Sequence, residues 1–222
     1  LPCGQLNLLV SAMNPETCFT ERLAAIRARI EAACRRAGRA PGAVTLIAVT
    51  KTFGPEAVRD AWEAGIGIMG ENRVQEAAAK IPQCVSGPDW HLIGHLQRNK
   101  VRPALELFNC LHAVDTLKLA EHIDRVAGEM GVRPAILLEI NASGESSKFG
   151  IRPEAAPAVI EQVLALPHLT LTGLMTLAPI APDPGLTRPV FARVRECRDQ
   201  WEQQFGIALP HLSMGMSGDF EV

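Results

Sequence analysis

The residue with the clearest chemical potential is a lysine at the end of the segment 44–51, Val-Thr-Leu-Ile-Ala-Val-Thr-Lys. This apolar, β-branched run is typical of a buried strand, and Gly54-Pro55 follows soon after it. Side chains alternate along a strand, so Lys51 shares a face with Ile47 and Val49. A partly desolvated lysine loses its proton more readily and attacks a carbonyl to form an imine. The alternative is a lysine that simply reaches solvent where its strand ends.

A second candidate site is the segment 213–219, Ser-Met-Gly-Met-Ser-Gly-Asp. Its glycines and serines offer backbone N–H groups and hydroxyls of the kind that bind a phosphate. The same residues also suit a helix start, with Ser217 as the N-cap and Asp219 favourable to the helix dipole. The two interpretations are compatible.

Two histidines, His91 and His95, suggest a metal pair, but on a strand this spacing spans about 13 Å, too far to chelate one ion. We therefore expect no metal site from this pair. His91 either faces a ligand or is an ordinary core histidine. The polar segment 141–150 could form a lid that carries Lys148 to a ligand, or could be a simple surface connection.

Periodicity predicts a leading helix followed by strands and helices in alternation. Helices are expected at 16–38, 55–64, 74–81, 99–108, 116–130, 153–166 and 188–205. Strands are expected at 44–51, 65–70, 90–94, 110–114, 134–141, 169–176 and 211–214. Alternation with short connections gives a parallel sheet with helices outside it. This many units favour a (β/α)8 TIM barrel over an open doubly wound sheet, and no Gly-x-Gly-x-x-Gly motif follows the first strand.

Polar residues follow several of these strands, where a barrel builds its site. They are Lys51, Asn72, the residues after Gly94, Asn141, Thr176 and Ser213. Each alone could cap a strand, but together they favour a functional site at one mouth of the barrel.

Composition narrows the classes of function. The net charge of −2 gives no reason to expect nucleic acid or an anionic membrane as a partner. No apolar run reaches the roughly 18 residues that a membrane span needs. The six cysteines form no Cys-x-x-Cys pair, which favours reduced thiols in a cytoplasmic protein. The chain has no tyrosine, so a lysine–tyrosine two-base racemase mechanism is impossible within it.

Taken together, the motifs resemble the pyridoxal phosphate homeostasis proteins, whose fold is similar to the N-terminal barrel domain of alanine racemase. The resemblance runs from about Ala24 to Val222. The matching segments are Ala48–Lys51, Gly70–Glu76, Trp90–Lys100, Asn141–Gly150, Gly173–Thr176 and Leu212–Ser217.

The resemblance implies that Lys51 forms an imine with pyridoxal 5'-phosphate, that Asn72 lies beside this cofactor, and that Ser213 and Met214 contact its phosphate. His91 and Met175, in two other matching segments, complete the predicted cofactor site; no catalytic residue is assigned. Two positions depart from the family pattern. Arg73 stands where an aromatic residue is usual, and His95 where proline is frequent.

The family also continues with one more helix and strand, carrying an Arg-x-Gly-Thr segment. We therefore expect residues 1–15 to be an extension and residues 16–222 to be a single barrel domain, C-terminally truncated and lacking its eighth strand. Because the first strand pairs with the eighth in a closed barrel, the strand of Lys51 should then form an open edge.

The sequence thus predicts a monomeric carrier or regulator of pyridoxal phosphate, with cofactor-requiring apo-enzymes as its partners and no established turnover. One alternative is a single-domain racemase or decarboxylase that uses the same cofactor. Another is a lysine-imine aldolase without a cofactor.

Overall fold

A computed structural model describes residues 18–145, 148–179 and 183–222. The predicted extension at 1–15 lies outside these ranges. In these ranges a leading helix is followed by seven strands, and six further helices lie between successive strands. The helices are α1 (Phe19–Arg36), α2 (Pro55–Glu63), α3 (Val74–Lys80), α4 (Val101–Leu107), α5 (Leu117–Met130), α6 (Ala156–Leu164) and α7 (Arg188–Phe205). The strands are β1 (Ile47–Val49), β2 (Ile68–Glu71), β3 (Asp89–Leu92), β4 (Cys110–Val114), β5 (Ala135–Glu139), β6 (Thr170–Met175) and β7 (His211–Ser213).

All strands pair in parallel, and their order in the sheet is their order in the chain. The sheet curls around one interior, because residues from every strand or its approach line a common cavity. Within the described residues β1 pairs only with β2, and β7 only with β6. The predicted barrel with seven strands and an open edge at β1 is therefore confirmed.

The two faces of the sheet carry different side chains, as the strand period requires. Ala48, Leu92 and Leu138 pack outward into the main apolar core against the helices. Their neighbours along the strands point into the curled sheet, where Cys110, Leu137 and Met175 form a second, smaller apolar cluster. Both faces are buried, as expected for a parallel sheet covered by helices.

Local signals explain where several helices begin and end. The Thr116 hydroxyl accepts the N–H of Leu119 at the start of α5, and Gly131 ends that helix in the left-handed conformation at φ 69°. Proline lies in the first turn of α2, α6 and α7. The first strand is shorter than predicted: residues 44–46 and 50–51 lie outside it. The region predicted as one helix at 99–108 begins as a 3-10 turn, Arg98–Lys100, before α4.

The segment after β7 crosses to helix α1. The guanidinium of Arg29 donates to both carboxylate oxygens of Glu221 at 3.0 and 2.9 Å and lies 4.7 Å from the centre of the Phe220 ring. Arg36 donates to the Glu221 backbone carbonyl at 3.1 Å. These contacts connect the two ends of the described barrel. No helix in the described ranges combines the length and hydropathy that a membrane span requires.

Candidate functional site

Lys51 lies two residues beyond the end of β1, half-buried, at the carboxyl end of the sheet. The register pairs Val49 with Gly70, and the N–H of Thr50 continues this pairing by donating to the Gly70 carbonyl at 3.1 Å. Extending the register by two residues places Lys51 beside Asn72, since neighbouring strands lie about 4.8 Å apart. Both residues lie just beyond the carboxyl ends of adjacent parallel strands.

A buried polar network holds the backbone on both sides of Lys51. The ammonium of Lys80 donates to the Thr50 carbonyl at 2.7 Å and to Glu71 Oε1 at 2.8 Å. The Thr50 hydroxyl donates to the same carboxylate oxygen at 2.6 Å. On the other side of Lys51, the N–H of Thr52 donates to Glu76. Lys51 is therefore attached to a fixed backbone at the end of a short strand.

Thr52 has φ 67°, a left-handed conformation that is uncommon for a threonine. Its position immediately after Lys51 turns the chain sharply away from the sheet. The sequence predicts a break after Lys51 but not the left-handed conformation of Thr52, and it did not identify Glu71 and Lys80. The sequence shows only two opposite charges nine residues apart, with Glu71 before the short helix α3 and Lys80 at its end.

Asn72 is fixed by close packing of its backbone against Gly94. A Cβ atom on Gly94 would lie 2.4 Å from the Asn72 carbonyl oxygen, so only glycine fits without a shift. The N–H of Ile93 donates to the Glu71 carbonyl at 2.9 Å, which fixes the same pair of strands just before this point. Asn72 therefore lies in a constrained position between the ends of β2 and β3.

The predicted phosphate segment forms turns after β7. Gly215 has φ 89°, and the N–H of Met216 donates to Asp219 Oδ1 at 2.5 Å. Burial raises the pKa of Asp219 above its ordinary value. Ser217 Oγ is buried and has no hydrogen-bond partner among the described residues. The predicted N-cap role of Ser217 is thus wrong here, and its hydroxyl has a hydrogen-bonding capacity that no described residue uses.

Ser213 uses its hydroxyl inside the barrel. It donates to Nδ1 of His112 at 2.9 Å, and the other ring nitrogen of His112 lies 2.9 Å from Nδ1 of His91. His91 Nε2 in turn lies 3.2 Å from Asp89 Oδ2. Because a carboxylate only accepts, His91 donates to Asp89, His112 donates to His91, and Ser213 donates to His112.

His91 points toward the amino ends of the strands, the opposite end from Lys51. It lines a cavity of about 320 Å³ with residues that begin their strands, such as Asp89, Cys110 and His211. Burial lowers the pKa of His91 and lowers that of His112 well below its ordinary value. His91 therefore belongs to an interior network and is not brought together with Lys51.

The two methionines of the predicted site face opposite ways. Met175 points into the curled sheet, pairs in register with Ser213 and packs beside Leu137. Met214 packs against the outer core, so any contact it makes with a ligand at the mouth would come from its backbone.

Other predicted strand-end residues make hydrogen bonds or ion pairs within the protein. Asn141 donates to the carbonyls of Glu145 and Lys148 and accepts from Ser143 and the Gly144 N–H, so it organises its own loop. Lys148 pairs with Glu145 at 3.3 Å. The Thr176 hydroxyl donates to the Ile140 carbonyl at 2.8 Å.

A second ionisable group occurs at the carboxyl ends. Glu139 is 7% exposed and shares the inward face of Leu137. Burial, aided by the nearby charge of Asp115, raises its pKa to about 7. His95 lies 3.2 Å from Asp115 and stacks on the ring of Phe149. Sequence reasoning did not identify Glu139, because nothing in an apolar strand reveals the protonation of its last residue.

Comparison with known proteins identifies relatives of this chain. The family model for the alanine racemase N-terminal domain matches residues 22–222. The pyridoxal phosphate homeostasis protein of Aquifex aeolicus is 40% identical over 203 residues, which cover 91% of this chain and 89% of the relative. The solved structure of PipY from Synechococcus elongatus PCC7942, with pyridoxal phosphate bound, is 38% identical with a TM-score of 0.79, covering 90% of each chain.

Alanine racemase of Clostridium difficile 630, in complex with cycloserine, shares the fold alone. Its TM-score is 0.73 at 12% identity, and the match covers 97% of this chain and 55% of the racemase. The chain therefore belongs to the alanine racemase N-terminal domain family and, within it, to the pyridoxal phosphate homeostasis proteins.

Proposed function

We propose that this protein binds pyridoxal 5'-phosphate and takes part in its intracellular homeostasis. The observation that carries the proposal is the placement of Lys51. It is a half-buried amine beyond the end of β1, on a backbone held from both sides, and Asn72 follows the adjacent strand β2. The PipY structure, at 38% identity, has the same cofactor bound.

The residues present fit this cofactor. Lys51 would hold its aldehyde carbon covalently as an imine, with Asn72 beside it. At the phosphate end, the buried Ser217 hydroxyl lacks a partner among the described residues, and Gly215 turns the backbone there. A phosphate oxygen would accept from this hydroxyl and from nearby N–H groups. When bound, pyridoxal phosphate supplies an electron sink for reactions of amino groups.

The same features support a carrier or regulator without turnover. Turnover would require an acid–base group positioned on the opposite side of the cofactor from the lysine. The chain contains no tyrosine to serve in that role, and its buried histidine pair lies toward the amino ends of the strands, which leaves buried ionisable side chains such as Glu139 at the carboxyl ends. We further propose that the protein is monomeric, works in the cytoplasm and passes the cofactor to apo-enzymes.

The test is borohydride reduction of the 222-residue protein after incubation with pyridoxal phosphate, followed by intact mass and peptide mapping. We expect one pyridoxyl adduct, on Lys51, and none in Lys51→Ala. Lys118→Ala, an exposed lysine on α5, is the matched control and should load normally. An adduct that persists in Lys51→Ala would refute the assignment. Loss of optical activity from a panel of amino acids would favour the racemase instead.

A further inference from the structure

Three nitrogen and sulfur donors meet inside the barrel where β3 and β4 pair. The register places His91 directly opposite Cys110. His112 follows two residues along β4 and therefore shares the inward face of Cys110. The potential ligand atoms of these three side chains all lie within 4.8 Å of one another. Spacing along the sequence does not reveal this cluster, because its members come from two strands.

The outer nitrogen of each imidazole is already held by an oxygen. Asp89 Oδ2 lies 3.2 Å from Nε2 of His91, and Ser213 Oγ lies 2.9 Å from Nδ1 of His112. The facing nitrogens, Nδ1 of His91 and Nε2 of His112, are 2.9 Å apart. Metal-binding histidines commonly use this arrangement, with the second ring nitrogen anchored by a carboxylate or another oxygen so that the first points at the ion.

We propose that His91, Cys110 and His112 bind a zinc ion, with a solvent molecule as the fourth ligand. Two imidazoles and a thiolate are a donor set that Zn²⁺ takes in tetrahedral geometry. The Cys110 thiol releases its proton to solvent as it binds the ion. Bond lengths of about 2.0–2.3 Å set the ligand atoms about 3.3–3.7 Å apart in such a site. The facing nitrogens, now 2.9 Å apart, need to separate by about half an ångström, and the thiol, within 4.8 Å of them, needs to approach by at most about 1.5 Å.

The surroundings suit an ion that enters from the amino ends of the strands. His112 is 1% exposed and Cys110 is 7% exposed, and both border the cavity of about 320 Å³. That cavity has room for a bound water. The Asp89 carboxylate is itself fixed by the amide of Asn109 at 2.7 Å, and it would partly balance the charge of the ion.

Zinc binding would also move the ring proton of His112 from one nitrogen to the other. With Nε2 of His112 bound to the ion, the neutral ring carries its proton on Nδ1 and donates to Ser213. The Ser213 hydroxyl then becomes an acceptor in this contact. The ion thus reverses a hydrogen bond that reaches from the interior to the last residue of β7.

The test is titration of the tag-free 222-residue protein, prepared without pyridoxal phosphate, with Co²⁺ as a spectroscopic substitute for Zn²⁺. We expect one equivalent to bind with the intense visible bands of tetrahedral cobalt and a thiolate charge-transfer band, and Zn²⁺ to displace it. Cys110→Ser should abolish the charge-transfer band, and His91→Gln should weaken binding at least tenfold. Circular dichroism of each variant establishes that it is folded.

The matched control is Cys84→Ser, which removes a thiol elsewhere and should leave the spectrum unchanged. Lys51→Ala should also retain it, so the metal site and the cofactor site are tested separately. Two results would overturn the proposal. One is the absence of tetrahedral cobalt bands at saturating metal, and the other is a thiolate band that survives in folded Cys110→Ser.

Discussion

Replacing Lys80 by methionine should destabilise the protein strongly, because Lys80 is the cation of a buried pair. Lys80 is 6% exposed and Glu71 is fully buried. One oxygen of Glu71 already lacks a hydrogen-bond partner among the described residues. In Lys80→Met the remaining oxygen keeps only the hydroxyl of Thr50. Removing one member of a buried pair typically costs about 3–5 kcal/mol, mostly through the uncompensated charge that remains.

Urea unfolding at pH 7, followed by circular dichroism, measures this cost. We expect the free energy of unfolding to fall by about 3–5 kcal/mol in Lys80→Met. Lys118→Met, on the exposed face of α5, should change it by less than about 0.5 kcal/mol. The double variant Lys80→Met/Glu71→Gln should recover most of the loss, because a neutral amide removes the uncompensated charge and its oxygen can still accept from the Thr50 hydroxyl.

The same substitution should slow loading of pyridoxal phosphate in the fraction that remains folded. The Thr50 carbonyl loses its partner in Lys80→Met, so the backbone before Lys51 becomes less constrained.

Two results of the unfolding experiment would refute the reasoning about the buried pair. One is a loss of stability below about 1 kcal/mol in Lys80→Met, and the other is a double variant no more stable than the single one.

Three further predictions concern the carboxyl ends of the strands. Glu139 has a pKa near 7 in the folded protein, above its ordinary 4.5, so its stabilising contribution is complete below pH 4.5 and is lost as pH rises through 7. Glu139→Gln should therefore flatten the pH dependence of stability by up to about 3 kcal/mol between pH 5 and 8, and parallel profiles would contradict this. Gly94→Ala should displace Asn72 and cost about 1–3 kcal/mol in unfolding measurements, whereas Gly67→Ala, with open space at its Cβ, should be tolerated. Ser217→Ala should weaken binding of pyridoxal phosphate about tenfold in equilibrium dialysis and leave the melting temperature unchanged.

Much of the fold follows from local patterns that a single sequence carries. Apolar runs such as Ala135–Glu139 and the three- and four-residue spacing along α1 identify elements because burial imposes their period. The length of β1 was predicted less well. Its ends depend on partners elsewhere in the chain, including the contact of Lys80 with Thr50.

The candidate site was also only partly predictable from the sequence. The positions of Lys51 and Asn72 follow from the rule that parallel strands end together. Hydrogen-bond partners do not follow from any such rule. Asn141 and Ser213 both follow or end a strand as predicted, yet one organises a loop and the other contacts His112. A side chain that ends a strand can turn toward a ligand, its own loop or the interior, and long-range packing decides which.

The strand order, identical to the chain order, has a consequence for folding. Each described strand pairs only with its neighbours in sequence, so the sheet resembles a one-dimensional stack of repeats. Stability in such a stack is greatest near the middle and decreases toward the two ends. Amide hydrogen exchange should then be slowest in β4 and progressively faster toward β1 and β7. Local opening of β1, the strand that precedes Lys51, would then need less free energy than global unfolding.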